Sequence, residues 1–390
     1  MTVHVQPDVI GVERRIPFER VALVLQGGGA LGAYQAGVYE ALAEAGIHLD
    51  WIAGVSIGAI NAVIIAGNPP NVRIERLREF WTQVTAGGLW PWLGGSSPRV
   101  ARGDVARNIF NQLSASFAAA GGAQGFFSAR PVPPWLQPAG TIEATSFYDT
   151  RALRHTLEHL VDFDRLNAGT TRFSAGAVNV RTGNFVYFDT TTHTIRPEHV
   201  MASGALPPGL PAIEIEGEHY WDGGLVSNTP LQWVVDSEPR QDTLAFQVDL
   251  WSARGEFPRN LLDVMTREKE IRYSSRTRAG TDQFKHVQQL QHAVAELLEK
   301  LPEELKDSPE AKLLGTVAHR KVYNIVQLIY RARSYEGHSK DYDFSRLSME
   351  EHWRAGYHDA RHTLRHREVL KRPDNHAGVF TFDLAADGRE

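Results

Sequence analysis

Three short glycine-framed segments carry the residues able to do chemistry. Gly27-Gly28-Gly29-Ala30-Leu31-Gly32 follows the apolar run Val21–Leu25. Gly54-Val55-Ser56-Ile57-Gly58 comes soon after it, and Asp222-Gly223-Gly224 lies far downstream. Consecutive glycines expose successive backbone N–H groups, and a following helix adds the positive end of its dipole. Such a loop stabilises an anion, whether a phosphate or a tetrahedral oxyanion. A serine on a sharp strand-to-helix turn projects its hydroxyl out of the sheet, with flanking glycines preventing collisions. That hydroxyl needs a base. Sixteen histidines are present, His219 nearest to Asp222, but none sits in a comparably framed turn. Asp222 does. The set reads as oxyanion hole, nucleophile and base for splitting an acyl ester.

Each segment also has a plainer reading. The glycine run spells the G-x-G-x-x-G dinucleotide fingerprint, which calls for an acidic residue closing the next strand. Here that strand ends in Val55-Ser56, and Asp50 before it is a poor stand-in. Gly54–Gly58 could be a small-residue turn with an incidental serine, and Asp222 could fix a glycine turn through its own backbone bonds.

The elements that must position these residues follow from periodicity. Val21–Leu25 and Trp51–Val55 read as buried strands, each followed by a helix, at Ala33–Ala45 and Ile57–Ala66. This order implies parallel strands covered by helices. A third amphipathic helix spans 71–84 through Ile74, Leu77, Trp81 and Val84. Residues 87–144 change character. They are rich in Gly, Ala, Pro and Ser with scattered aromatics, including Trp90, Trp92, Phe117, Phe126, Phe127 and Trp135, and read as an irregular lid-like insertion or membrane-contact loop. Leu153, Leu157 and Leu160 mark another helix. Phe173–Val180 and Phe185–Phe188 flank a hairpin turn, 212–215 and 220–221 form a second, and Thr243–Leu250 is a last strand. Beyond about residue 260 the pattern is helical and charged to about 370, with apolar stripes at Leu290, Val294, Leu297, Leu298 and Leu301, then at Val322, Ile325, Val326 and Ile329.

With these elements around them, the three motifs in this order resemble the patatin-like phospholipases, a family of lipid acyl hydrolases. The resemblance covers roughly residues 20–235. It includes Ser203-Gly204-Ala205-Leu206-Pro207-Pro208 ahead of the aspartate. It implies a three-layer α/β/α fold with a mostly parallel central sheet and a Ser–Asp dyad without histidine. Ser56 is then the nucleophile and Asp222 the general base, with the oxyanion held by the amides of Gly27, Gly28 and Gly29. Gly32, Gly54, Gly58, Gly223 and Gly224 support the motifs. Many members carry Arg or Lys where this chain has Leu31, so electrostatic support near the oxyanion is expected to be weaker. A catalytically weak patatin-fold binding module is the alternative.

Composition bounds the rest. The 390 residues are 42% hydrophobic and 22% charged, with net charge −5, as in ordinary globular proteins. No cysteine is present, which excludes disulfides and thiolate metal sites. Basic residues form no stripe interleaved with aromatics, so nucleic acid is not an expected partner. His358, His362 and His366 have metal-site spacing on one helix face, but Arg361 and Arg365 crowd them and a solvated face is expected. The resulting expectation is a leader at 1–20, a hydrolase domain at 21–252 and a mainly helical region at 253–390. The protein is expected to be cytoplasmic, with peripheral membrane contact at most, and to take a lipid or ester substrate without metal or organic cofactor.

Overall fold

The computed structural model describes residues 16–87, 103–333, 335–373 and 378–384, excluding the side chains of residues 105 and 275–279. The first fifteen leader residues, Trp90 and Trp92 lie outside the described residues.

The strands of the main sheet are β1 (Arg20–Leu25), β2 (Trp51–Val55), β6 (Arg172–Asn179), β7 (Phe185–Asp189), β8 (Ile213–Ile215), β9 (Glu218–Asp222), β10 (Thr243–Asp249), β11 (Tyr323–Ile329) and β12 (Val379–Phe382). A small antiparallel sheet joins β3 (Gly122–Ala123), β4 (Phe127–Ala129) and β5 (Tyr148–Asp149). The main order is β12-β11-β10-β1-β2-β6-β9-β8, with β7 also pairing β6. Strands β12 through β6 are mutually parallel, while β7, β8 and β9 are added antiparallel.

Alternation along β1 explains the layers. Leu23 and Leu25 face one core, packed with α1 (Ala33–Glu44), α2 (Ile57–Ala66) and α3 (Arg73–Val84). Ala22 and Val24 face the other, which holds Leu231 and Val234 of α8 (Leu231–Val235) and Phe284 of α9 (Leu261–Glu299). Strands buried on both faces carry no polar side, so β1 and β2 read as continuous apolar runs. The fold is a mixed, mostly parallel sheet between helical layers, as expected.

Two expectations are corrected. The 87–144 insertion is not wholly irregular: it contains α4 (Asp104–Gly121) and the small sheet. Phe126 and Phe127 anchor it, their rings 6.0 and 5.8 Å from that of Phe344, with Phe80 beside Phe126. The stripe Val322–Ile329 is also not helical; it forms the buried strand β11. Its run of β-branched and aromatic residues was read with helical period, and burial on both faces erased the alternation that would have separated the two.

Strands β11 and β12 extend the same sheet, so residues 252–260 do not mark a break in it. The remaining helices are α5 (Arg151–Leu160), α6 (Phe163–Asn167), α7 (Pro197–Ser203), α10 (Glu303–Lys306), α11 (Pro309–Val317) and α12 (Arg346–Thr363). α12 ends before His366, which is extended and precedes the 3-10 turn Arg367–Leu370, so the three spaced histidines do not share one helix face.

α12 lies directly on α1 because two glycines meet. A Cβ on Gly37 would fall 1.9 Å from the Trp353 carbonyl oxygen, and one on Gly356 would fall 2.0 Å from that of Tyr34. Gly356→Ala should therefore destabilise the protein by about 1–3 kcal/mol by forcing the helices apart, despite alanine's better helix propensity. Gly315→Ala on α11, where nothing lies within 4 Å, should be neutral or slightly stabilising. Urea midpoints of the two variants check the contrast.

Candidate active site

The edge of β6 brings the two reactive groups together. β2 runs parallel along β6 as far as the pair Val55–Gly176. β9 runs antiparallel along β6, from Tyr220–Asn179 to Asp222–Ala177. The opposite edge is occupied by β7 at both Gly176 and Ala177. β2 and β9 therefore share one edge of β6 and approach each other end to end. Ser56 follows the last residue of one, and Asp222 is the last residue of the other.

Ser56 sits at φ 56° and ψ −128°, a left-handed conformation costly for a residue with a Cβ. Its surroundings hold it there. Its amide lies 3.1 Å from the Ser203 carbonyl oxygen and 3.0 Å from the Ser203 hydroxyl oxygen. That hydroxyl donates to the Gly176 carbonyl at 2.7 Å. The Asp222 amide bonds the Ala205 carbonyl at 3.0 Å, so residues 203–205 fasten both sides of the strand junction. Ser203 lay in the Ser203–Pro208 segment noted in the sequence, but nothing there signalled its role.

The motif glycines are required by close approach. A Cβ on Gly54 would lie 2.3 Å from the Gly58 backbone, and one on Gly58 would lie 2.3 Å from the Leu25 carbonyl oxygen. At Gly223 the Gly176 carbonyl oxygen stands 2.5 Å away, and at Gly32 the Ile57 side chain stands 2.6 Å away. The turn at Gly224 holds its place because its amide donates to Asp222 Oδ1 at 2.7 Å.

The glycine loop lies against Ser56: a Cβ on Gly27 would meet Ser56 Cβ at 3.0 Å. The Gly27 amide is already committed to the Asn228 carbonyl at 3.2 Å. This corrects the expectation of three open donors. Gly28 and Gly29 open a 3-10 turn, where the first amides have no partner within the turn. Asn228, which sequence reasoning missed, sits between the loops. Its side-chain amide donates to the Gly27 carbonyl at 3.0 Å, and its Oδ1 packs against both Gly27 and Gly224. Trp251 adds a second tie, donating from Nε1 to the Gly27 carbonyl at 3.0 Å.

Burial pushes the Asp222 carboxyl up to about 6; hydrogen bonds from the Ser56 hydroxyl and the Gly224 amide pull it the other way. A 460 Å³ cleft runs along the Gly224–Thr229 turn against Arg272 and Tyr273 of α9. A larger cavity, 1410 Å³, lies between α4, the start of α9 and the chain after β11; neither Ser56 nor Asp222 lines it. The smaller cleft reaches the aspartate turn at Gly224 but, like the larger cavity, is lined by neither Ser56 nor Asp222. Among the described residues, no group of three or more His, Asp or Glu side chains is arranged to hold a metal ion.

With this geometry in view, sequence comparison is informative. The sequence model of the patatin-like phospholipases matches residues 23–234, more than half of the chain. The chain belongs to this family. A second family model, described as patatin phospholipase, matches residues 271–376. Lysophospholipase nte1 of Aspergillus terreus is 55% identical over 84 residues, which is 21% of this chain and 5% of that protein. Patatin-like phospholipase domain-containing protein 7 of Rattus norvegicus is 43% identical over 76 residues, 20% of this chain and 6% of its own length. The chain thus spans only a small part of these curated relatives. Among solved structures, VipD from Legionella pneumophila aligns over 90% of this chain and 67% of its own, with 14% identity and TM-score 0.39.

The raised Asp222 carboxyl has a stability consequence. Its folded value lies above the ordinary 3.8, so the native state keeps a proton that the unfolded chain loses. Stability therefore falls as pH rises from about 4 to about 6, by up to ~3 kcal/mol, and stays reduced above that. Asp222→Asn should raise stability at pH 7–8 by about 1–3 kcal/mol. It should also shallow the pH 4–6 slope without removing it, because the buried Asp249 carboxyl is likewise pushed up, to about 7. Thermal melts across pH 4–8 read both effects.

Proposed function

We propose that the protein is a serine acyl hydrolase that cleaves carboxylic esters of lipids through a Ser56–Asp222 dyad. One observation carries the reading: Ser56, just past the end of β2, and the buried Asp222, at the end of β9, converge on one edge of β6, beside a loop that presents the Gly28 and Gly29 amides.

Asp222 takes the proton from the Ser56 hydroxyl as its oxygen attacks the ester carbonyl carbon. A carboxylate near 6 is a better base than one at 3.8 and is still mostly ionised at neutral pH. The carbonyl oxygen gains negative charge and rests on the Gly28 and Gly29 amides, supported by the start of the following helix. Collapse breaks the ester C–O bond, and the proton on Asp222 leaves with the alcohol. Water then gives a proton to Asp222 and attacks the acyl-serine, releasing the carboxylic acid and restoring the serine.

A lipid substrate is supported by family membership and by the lysophospholipase name of a relative. It is also supported by the 109–147 stretch, which exposes Leu113, Phe117, Trp135, Leu136 and Phe147; Trp135 is 73% exposed. Such a patch suits peripheral contact with a lipid surface. No helix among the described residues is long and apolar enough to cross a membrane.

A fluorophosphonate probe should label the wild-type protein once, at Ser56, and leave Ser56→Ala unlabelled. Release of fatty acid from lysophosphatidylcholine should fall at least ~10³-fold in Ser56→Ala and Asp222→Asn, with both variants folded. Near-normal release by Asp222→Asn would refute the dyad. The wild-type rate should decline as pH falls through about 6, following protonation of Asp222, and no single histidine substitution should abolish it.

A further inference from the structure

The glycine loop receives no cation from its own sequence, since Leu31 is fully buried in the apolar core. The charged groups beside it come from the region after residue 260. The 3-10 turn Lys340–Tyr342 is seated directly on the loop: a Cβ on Gly29, whose φ is +56°, would fall 2.3 Å from the Asp341 carbonyl oxygen. The Asp341 side chain is buried and paired with Lys269 of α9 at 2.6 Å. Lys340 is equally buried and pairs with Glu270, the next residue of α9, also at 2.6 Å. Both ammonium groups approach the face of Trp251, at 5.7 Å for Lys269 and 5.2 Å for Lys340. Trp251 in turn holds the Gly27 carbonyl through Nε1 and stands against Gly28, where a Cβ would lie 3.2 Å from that nitrogen.

The loop is therefore walled on two sides. Leu250 and Trp251 press on Gly28, and the Asp341 backbone presses on Gly29. The wall on Gly29 is held to α9 by two crossed lysine–carboxylate pairs between neighbouring residues of α9 and of the turn, and both lysines lie over Trp251 of the other wall. Buried pairs of this kind contribute little net stability compared with apolar residues of the same volume, but they fix one relative placement of the segments that carry them. Here the placement fixed is that of the wall behind the amides.

Resting on the hydrolase reading above, we propose that Lys269 and Asp341 are positioning residues for the reaction. Their ion pair clamps the Lys340–Tyr342 turn onto Gly29 and holds the Gly28 and Gly29 amides aligned for the oxyanion. Neither side chain touches the reacting atoms. The clamp acts on the transition state, because the amides matter most when the carbonyl oxygen becomes charged. It gives the region after residue 260 a direct part in catalysis.

The test uses Lys269→Met/Asp341→Asn, which removes both charges and leaves no orphaned ion, with Lys269→Arg alone, which keeps the ion pair, as the milder variant. Two readouts are taken on the full chain. The first is kcat and KM on p-nitrophenyl butyrate; the second is hydrogen exchange of peptides covering residues 26–32. The double variant should lose about 10–100-fold in kcat, part of the loss expected for removing an oxyanion donor, with KM within about twofold. Exchange should accelerate at 26–32 and not in β1 or β10. Lys269→Arg, which keeps a cation against Asp341, should recover most of the rate and should fold even if the double variant does not.

A folded double variant with wild-type kcat and wild-type loop exchange overturns the clamp. So does acceleration of exchange throughout the chain, which would mean a general loss of stability. If the double variant does not fold, wild-type kcat and wild-type loop exchange in Lys269→Gln/Asp341→Asn, which keeps a neutral pair in place of the ions, overturn it as well. A wild-type protein that is inert to ester and probe, but whose loop loosens in the double variant, overturns the hydrolase reading and leaves the clamp standing.

Discussion

The site depends on a strand replacement. On one edge of β6, β2 leaves the sheet after Val55 and β9 takes its place from Asp222, with no unpaired β6 residue between the pairs at Gly176 and Ala177. Backbone hydrogen-bonding groups must be satisfied when buried, so an edge vacated by one strand needs another. Because one partner is parallel and the other antiparallel, their ends converge. A residue just past the end of β2 and a residue at the end of β9 are then neighbours, although 166 positions apart in the numbering. The glycines follow from that crowding: three chain segments converge where a side chain would strike a main-chain carbonyl or peptide unit.

The same junction sets the electrostatics. Asp222 is buried because it lies inside the sheet's end, and burial raises its carboxyl toward neutrality. A histidine relay is one way to obtain a base of suitable strength near a serine. Desolvating a carboxylate is another, provided that hydrogen bonds keep its ionised form accessible. Here the Gly224 amide and the Ser56 hydroxyl lower the Asp222 carboxyl against its desolvation. The cost appears as stability given up at neutral pH, and a strained Ser56 adds to it.

Support for the glycine loop comes from three distant parts of the chain. Asn228 ties the loop to the aspartate turn, Trp251 ties it to the end of β10, and Asp341 closes it from the side of α9 and the Lys340–Tyr342 turn. The last of these belongs to the region that periodicity had set apart as a helical extension. It is joined to the rest by β11 and β12 in the common sheet and by the packing of α12 on α1, where Gly37 faces the Trp353 carbonyl and Gly356 that of Tyr34.

The sequence alone determined the local pieces. Apolar runs ending in glycine marked β1 and β2, the framed serine marked a strand-to-helix turn, and the aspartate with two glycines marked a tight turn. These signals are legible because steric demands act between near neighbours, as between Gly54 and Gly58. It did not reveal β11, since a strand buried on both faces has no alternation to distinguish it from a buried helix. Nor could it show that the Gly27 amide is spent on Asn228, that Ser203 fastens the Ser56 turn, or that Trp251 and Lys269 stand beside the glycine loop. Those residues carry no motif; their contacts join segments tens to hundreds of residues apart. Only the packing of the sheet decides which of them meet.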